Sequence, residues 1–174
     1  MSRLMKVGAA GALLAIALPA PAWGAAQSPS EFPARILATH NSARAQLAEQ
    51  PLTWDPVLAE GASTYAAQLA ITNTFQHSDR HQRLGIGENL WMGTRGYYSY
   101  EAMVGGWASE RRDFVPGVFP SVSRSGNWAN VGHYTQMVWP TTQRVGCALA
   151  STPRVDYLVC RYSPAGNIDG RPVP

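Results

Sequence analysis

Two short runs rich in Val, Leu and Tyr lie close together near the end of the chain, at residues 144–150 and 155–163. The few residues between them include Pro153, which favours a turn. Such a pair of runs predicts an antiparallel β-hairpin. Because the apolar patterns that precede it are helical, the chain is predicted to be an α+β protein and not a series of βαβ units.

Three helices are predicted ahead of this hairpin. The second has the clearest start, with Asp55 as its N-cap and Pro56 in its first position, and the third runs from Ser99 to Glu110. If the third helix ends there, the carboxylate of Glu110 lies at the negative end of the helix dipole, which costs roughly a few tenths of a kcal/mol unless a cation compensates. Residues 113–131 show no sustained period and predict a long loop. The buried face of the first helix comprises Ile36, His40, Ala43 and Leu47.

The first 26 residues have the pattern of a secretory signal peptide. Basic residues precede an apolar run at 7–18, and small residues follow it. Pro19 and Pro21 end that run well short of the roughly 20 apolar residues that a membrane-spanning helix needs. We therefore expect residues 1–26 to be removed. The remaining residues, 27–174, are expected to form one domain that is secreted or periplasmic and not an integral membrane protein.

Most of the excess positive charge belongs to the predicted signal peptide. The full sequence has 14 basic and 11 acidic side chains, and residues 1–26 contain two of the basic ones and none of the acidic ones. Lys6 is the sole lysine, and the arginines that remain form no run longer than two. A surface that follows a phosphate backbone needs several clustered basic groups. We therefore expect no nucleic-acid partner.

Cys147 and Cys160 are the only cysteines of the chain, and one lies on each arm of the predicted hairpin. Because an exported protein leaves the reducing cytosol, this pair predicts a cross-strand disulfide. Closing a loop of about 14 residues stabilises the fold by roughly 3 kcal/mol in the chain-entropy model. A catalytic thiol is the alternative, and the even number of cysteines argues against it.

Five segments, in order along the chain, resemble the CAP superfamily, which comprises the cysteine-rich secretory proteins, the antigen-five allergens, the pathogenesis-related proteins and bacterial relatives. The resemblance extends from about Ile36 to Asn167 and suggests a single-domain member of the bacterial type. It implies a three-layer α-β-α sandwich with a central antiparallel sheet, and a short helix at 133–139. The segments are residues 39–44 (THNSAR), 52–55 (LTWD), 87–90 (GENL), 132–139 (GHYTQMVW) and 157–167 (YLVCRYSPAGN).

The same resemblance places two histidines and two carboxylates in a cleft, at His77, Glu88, Glu110 and His133. Such a set can hold a metal ion, exchange protons or form a buried polar network, and the sequence leaves these alternatives open. Imidazole and carboxylate groups suit Zn2+ or another divalent cation, with His77 and His133 as the expected ligands. The histidines are dispersed, and none of them belongs to the His-Glu-x-x-His motif that marks a metalloprotease helix. We assign no catalytic residue and expect no other cofactor.

The expected function is that of an exported, non-enzymatic module that binds a lipid, a glycan or a peptide. One alternative is a peptidase-like hydrolase that uses the same four residues, and the other is an envelope-interaction protein with a vestigial cleft. His40 is expected to be a core histidine, because it lies on the apolar face of the first helix. Apolar residues of the long loop offer a place for an apolar ligand if they are exposed. They are Phe114, Val118, Phe119 and Trp128.

Overall fold

The computed structural model describes residues 29–174, so the predicted signal peptide lies outside the described residues. The helices are α1 (Phe32–Ala45), α2 (Pro56–Thr72), α3 (Tyr100–Ala108) and α4 (Gly132–Met137). The strands are β1 (Thr53–Trp54), β2 (Gly87–Thr94), β3 (Gly117–Val118), β4 (Arg144–Ser151), β5 (Val155–Ser163) and β6 (Pro172–Val173). Short 3-10 turns cover Pro29–Glu31, Arg80–Gln82, Ser109–Asp113 and Trp128–Asn130. None of the helices in this part of the chain is long and apolar enough to span a bilayer.

The main sheet has the strand order β1-β4-β5-β2. Strands β4 and β5 form the predicted antiparallel hairpin, and β2 pairs antiparallel with β5 as an edge strand. The short β1 pairs parallel with β4 at the other edge. Strands β3 and β6 form a separate two-stranded sheet.

Helices cover both faces of the main sheet, and strand β5 shows how the two layers are separated. Its residues Leu158, Cys160 and Tyr162 belong to the apolar core that also contains residues of α1, α3 and α4. Tyr157 and Val159 belong to a second core, with residues of α2. Because side chains alternate along a strand, one strand serves both cores. The predicted α+β class and three-layer α-β-α sandwich are confirmed.

Helix α2 begins at the predicted N-cap. The side chain of Asp55 accepts the backbone N–H groups of Val57 and Leu58 at 2.9 and 3.1 Å. The following Pro56 has no N–H to satisfy. A β carbon on Gly146 of β4 would overlap with backbone atoms at the start of α2. Glycine is therefore required there for the helix to lie directly on the sheet.

Two expectations for the middle of the chain change. Helix α3 ends at Ala108, and Glu110 lies in the 3-10 turn that follows it. The segment 113–131 is only partly irregular, because it contains β3, which pairs with β6 near the end of the chain. Phe114 and Phe119 from this segment are buried. No local sequence pattern marks a two-residue strand whose partner lies so far along the chain.

The predicted disulfide between Cys147 and Cys160 is confirmed. The two residues face each other directly in the register of β4 and β5, with their Cα atoms 4.1 Å apart. The bond therefore joins the two central strands of the main sheet.

Candidate functional site

His77 and Glu88 form the first of two imidazole–carboxylate pairs. Nδ1 of His77 lies 2.8 Å from Oε1 of Glu88. His77 lies in the connection between α2 and β2, and Glu88 is the second residue of β2. The side chain of His77 is 51% exposed, whereas that of Glu88 is fully buried. The pair therefore presents the imidazole to solvent and keeps the carboxylate behind it.

Three further donors approach the carboxylate of Glu88. It accepts the backbone N–H of Ser78 at 2.9 Å and the Ser78 hydroxyl at 2.8 Å, and Nε of Arg161 lies 3.1 Å away. Burial raises the pKa of Glu88, but hydrogen bonds from His77 and Ser78 and the charge of Arg161 outweigh burial and hold it below its usual value. Glu88 is therefore a carboxylate anion, which can only accept hydrogen bonds. It follows from this network that Nδ1 of His77 carries the hydrogen.

His133 and Glu110 form the second pair, at the first turn of α4. Nδ1 of His133 lies 2.6 Å from Oε1 of Glu110, and Oε2 accepts the backbone N–H groups of His133 and Tyr134 at 3.0 Å each. These N–H groups begin a helix and have no partner within it. The charge of Glu110 thus lies at the positive end of the α4 dipole, where it is favourable. This contact offsets the expected penalty at the end of α3.

Strand β2 connects the two pairs. Nδ2 of Asn89, the residue after Glu88, donates to the backbone oxygen of His133 at 3.1 Å. The carbonyl of Leu90 accepts from Nε1 of Trp107 at 3.1 Å, and the Trp107 ring stacks on the imidazole of His133 with centroids 5.8 Å apart. Adjacent residues of a strand point to opposite faces, so the side chains of Glu88 and Asn89 project from opposite faces of β2. The structure therefore groups the four predicted residues as two pairs, of which one includes β2 residue Glu88 and the other is bonded to β2 through Asn89.

A metal site at these residues would have to be built on the imidazole nitrogen atoms. In the part of the chain that the structure describes, no three His, Cys, Asp or Glu side chains are grouped so that they share one ion. Nε2 of His77 and Nε2 of His133 have no hydrogen-bond partner among residues 29–174. Metal-ligating imidazoles usually donate their other N–H to a carboxylate, as both do here. The carboxylates Glu88 and Glu110 are thus orienting groups for the two imidazoles.

Neither imidazole contacts a hydroxyl or thiol nucleophile among the described residues. The hydroxyl of Ser78, the nearest in sequence to His77, donates to Glu88 and accepts from Nη2 of Arg161 at 3.3 Å. A serine nucleophile is commonly activated by an adjacent base that is hydrogen-bonded to it. The geometry of these residues does not provide such a pair.

A chain of hydrogen bonds runs from the second pair into the core. Nδ2 of Asn89 also donates to the hydroxyl of Tyr162 at 3.1 Å, and that hydroxyl lies 2.8 Å from Nε2 of His40. Nδ1 of His40 lies 2.9 Å from the carbonyl oxygen of Ile36. Because a carbonyl only accepts, Nδ1 of His40 carries the hydrogen and Nε2 accepts from Tyr162. Sequence reasoning placed His40 in the core but missed Asn89 and Tyr162, although both lie in segments that carry the family resemblance.

The apolar residues of the long loop before α4 divide into two groups. Phe114 and Phe119 are buried, whereas Val118 is 53% and Trp128 is 41% exposed. The ring of Trp128 packs against Gly132, the first residue of α4. An apolar ligand at this loop therefore stays a prediction, and it rests on Val118 and Trp128.

Comparison with known proteins identifies the family and the fold that this chain resembles. The chain matches the family described as CAP, the cysteine-rich secretory protein family, over residues 37–162. Pathogenesis-related protein 1C of Nicotiana tabacum is 35% identical over 136 residues, which cover 78% of this chain and 76% of that protein. Cysteine-rich secretory protein 2 of Homo sapiens is 44% identical over 112 residues, which cover 60% of this chain and 44% of that protein. The crystal structure of NaASP2 with Zn2+ superposes with a TM-score of 0.68 at 27% identity, and covers 82% of this chain and 84% of that one.

Proposed function

The chain belongs to the cysteine-rich secretory protein (CAP) family, and from this premise we propose that it is an exported, non-enzymatic binding module whose cleft holds a divalent metal ion. The ligands from the protein are Nε2 of His77 and Nε2 of His133. Export is supported by the signal-peptide pattern of residues 1–26, and by the secretory name of the human relative. The intact mass of the exported protein checks the removal of those residues.

One observation carries the metal proposal. Each imidazole has Nδ1 on a carboxylate oxygen, at 2.8 Å in one pair and 2.6 Å in the other, and its Nε2 is without a partner among the described residues. Glu88 and Glu110 thus orient the two rings so that each Nε2 is left free for a metal ion. A bound Zn2+ would supply a Lewis-acidic centre with open positions for an oxygen or nitrogen of the ligand. The zinc named with the NaASP2 crystal structure supports the choice of ion.

Binding is favoured over the alternative of covalent hydrolysis because Ser78, the hydroxyl next to His77, is bonded to Glu88 and Arg161. No base–nucleophile pair in the described cleft supports an acyl-enzyme mechanism. A ligand captured between the two pairs needs no such contact.

Calorimetric titration of metal-free protein with Zn2+ tests the proposal. We expect saturable binding by the wild type, and a loss of affinity in His77→Ala and in His133→Ala that exceeds the roughly 10- to 100-fold cost of removing an orienting group. His81→Ala is the matched control, because His81 is exposed and lies only four residues from His77. Identical titrations of all four proteins would rule out the metal site.

A further inference from the structure

The surroundings of Glu88 hold more positive than negative charge. Nε of Arg161 lies 3.1 Å from one oxygen of this carboxylate and Nε of Arg83 lies 3.8 Å from the other. In the part of the chain that the structure describes, Glu88 is the one carboxylate paired with either arginine. Burial lowers the pKa of Arg83, and the charges of Arg161 and Arg80 lower it further. The Glu88 carboxylate therefore faces the nearly buried guanidinium groups of Arg83 and Arg161, and the charge of Arg80 lies near Arg83.

Both guanidinium groups keep an N–H end that the protein does not use. Arg83 donates from Nε to the carbonyl of Ser78 at 3.3 Å and from Nη1 to that of Ile86 at 3.0 Å. Arg161 donates from Nη2 to the hydroxyl of Ser78. Nη2 of Arg83 and Nη1 of Arg161 have no hydrogen-bond partner among residues 29–174. Neither atom is among the buried polar atoms that lack a hydrogen bond in that part of the chain. Both N–H ends therefore remain accessible to solvent.

The two side chains are held in place before any ligand arrives. Arg161 lies on β5 opposite Glu88 and its guanidinium packs over the ring of Tyr65, 5.5 Å from the ring centroid. The side chain of Arg83 is held by its hydrogen bonds to the carbonyls of Ser78 and Ile86. Groups that are already ordered lose little entropy on binding. The pair is therefore preorganised beside His77.

We propose that Arg83 and Arg161 form a binding site for an oxyanion group of the ligand, a carboxylate, phosphate or sulfate. The planar guanidinium matches such groups through paired N–H donors. A nearly buried positive charge without a full counter-charge is costly, and an anion removes that cost. The inference rests on the proposed binding function and deepens it, because it assigns the ligand a negative charge.

Titration with inorganic phosphate, sulfate and acetate in metal-free buffer tests the site, with the arginine Nε–H signals followed by NMR. Saturable shifts are expected at Arg83 and Arg161 with at least one of the three anions, and the order of affinities identifies the preferred oxyanion. Arg83→Gln should weaken binding by about tenfold, the effect of one lost charge-assisted hydrogen bond. Arg112→Gln is the control, because the Arg112 side chain is 79% exposed and its one ion pair within residues 29–174 is with its neighbour Asp113. Absence of saturation with all three anions, or equal weakening by both variants, overturns the proposal.

Glu88→Gln gives an independent test, because this substitution should increase the response to an anion, whereas Arg83→Gln should decrease it. Without the carboxylate, both guanidinium groups lack a counter-charge, so phosphate should raise the Tm of this variant more than that of the wild type. A rise no larger than in the wild type contradicts the proposal. His133→Ala, which removes a proposed metal ligand, should keep the anion shifts. Failure of the metal site is thereby distinguished from failure of the anion site.

Discussion

At the scale of single residues, the polar groups of the core allow one arrangement of hydrogens. His40 lies between the Ile36 carbonyl and the Tyr162 hydroxyl, and it is fully buried. Burial lowers the pKa of His40 to about 4, and the nearby charge of Arg44 lowers it too. The folded state therefore contains the neutral imidazole of His40. Nδ2 of Asn89 donates to both the Tyr162 hydroxyl and the backbone oxygen of His133, and so links His40 to the second pair.

This burial predicts how stability depends on pH. Between about pH 6.5 and pH 4 the unfolded chain binds a proton at His40 that the folded chain does not. The free energy of unfolding should therefore decrease as the pH falls through this window, by up to about 3 kcal/mol from this residue. Urea denaturation at a series of pH values measures it.

The control variants isolate His40 from the carboxylates. His40→Gln should flatten the difference between pH 6.5 and pH 4, although it lowers stability at neutral pH. His81→Gln, at an exposed position, should keep the wild-type profile. Parallel profiles for the wild type and His40→Gln would show that His40 is not held neutral.

At the scale of elements, the short helix α4 depends on a residue outside itself. It has six residues, and its N-cap Val131 provides no side-chain hydrogen bond. Glu110, from the turn after α3, accepts its first N–H groups and also holds the imidazole of His133. One carboxylate therefore both caps the helix and orients the imidazole of the second pair.

Glu110→Ala should destabilise the protein by about 1–2 kcal/mol, the upper part of the range for losing a capping side chain. The same variant should free the His133 ring and weaken zinc binding. Chemical denaturation and calorimetry measure the two effects. Glu60→Ala is the control, because Glu60 is exposed on α2. Equal effects of the two variants would contradict the role of Glu110.

At the scale of the whole molecule, the three-layer sandwich is predicted from the family resemblance, and the other confirmed features from local patterns. The cap at Asp55, the hairpin and its disulfide each involve residues close in sequence. The pairing of β3 with β6 and the contact of Glu110 with α4 join distant segments, and no local periodicity marks them. The four candidate site residues come from the family resemblance, but only the fold shows that they form two imidazole–carboxylate pairs.

The central claim is that both cleft imidazoles carry hydrogen on Nδ1 and leave Nε2 available. Long-range proton–nitrogen NMR of the four histidine rings measures this directly, at a pH where the rings are neutral. We predict Nδ1–H tautomers for His77 and His133, with their Nε2 signals shifting on addition of Zn2+. Nε2–H tautomers at these two residues, or Nε2 signals that Zn2+ leaves unchanged, would contradict the account.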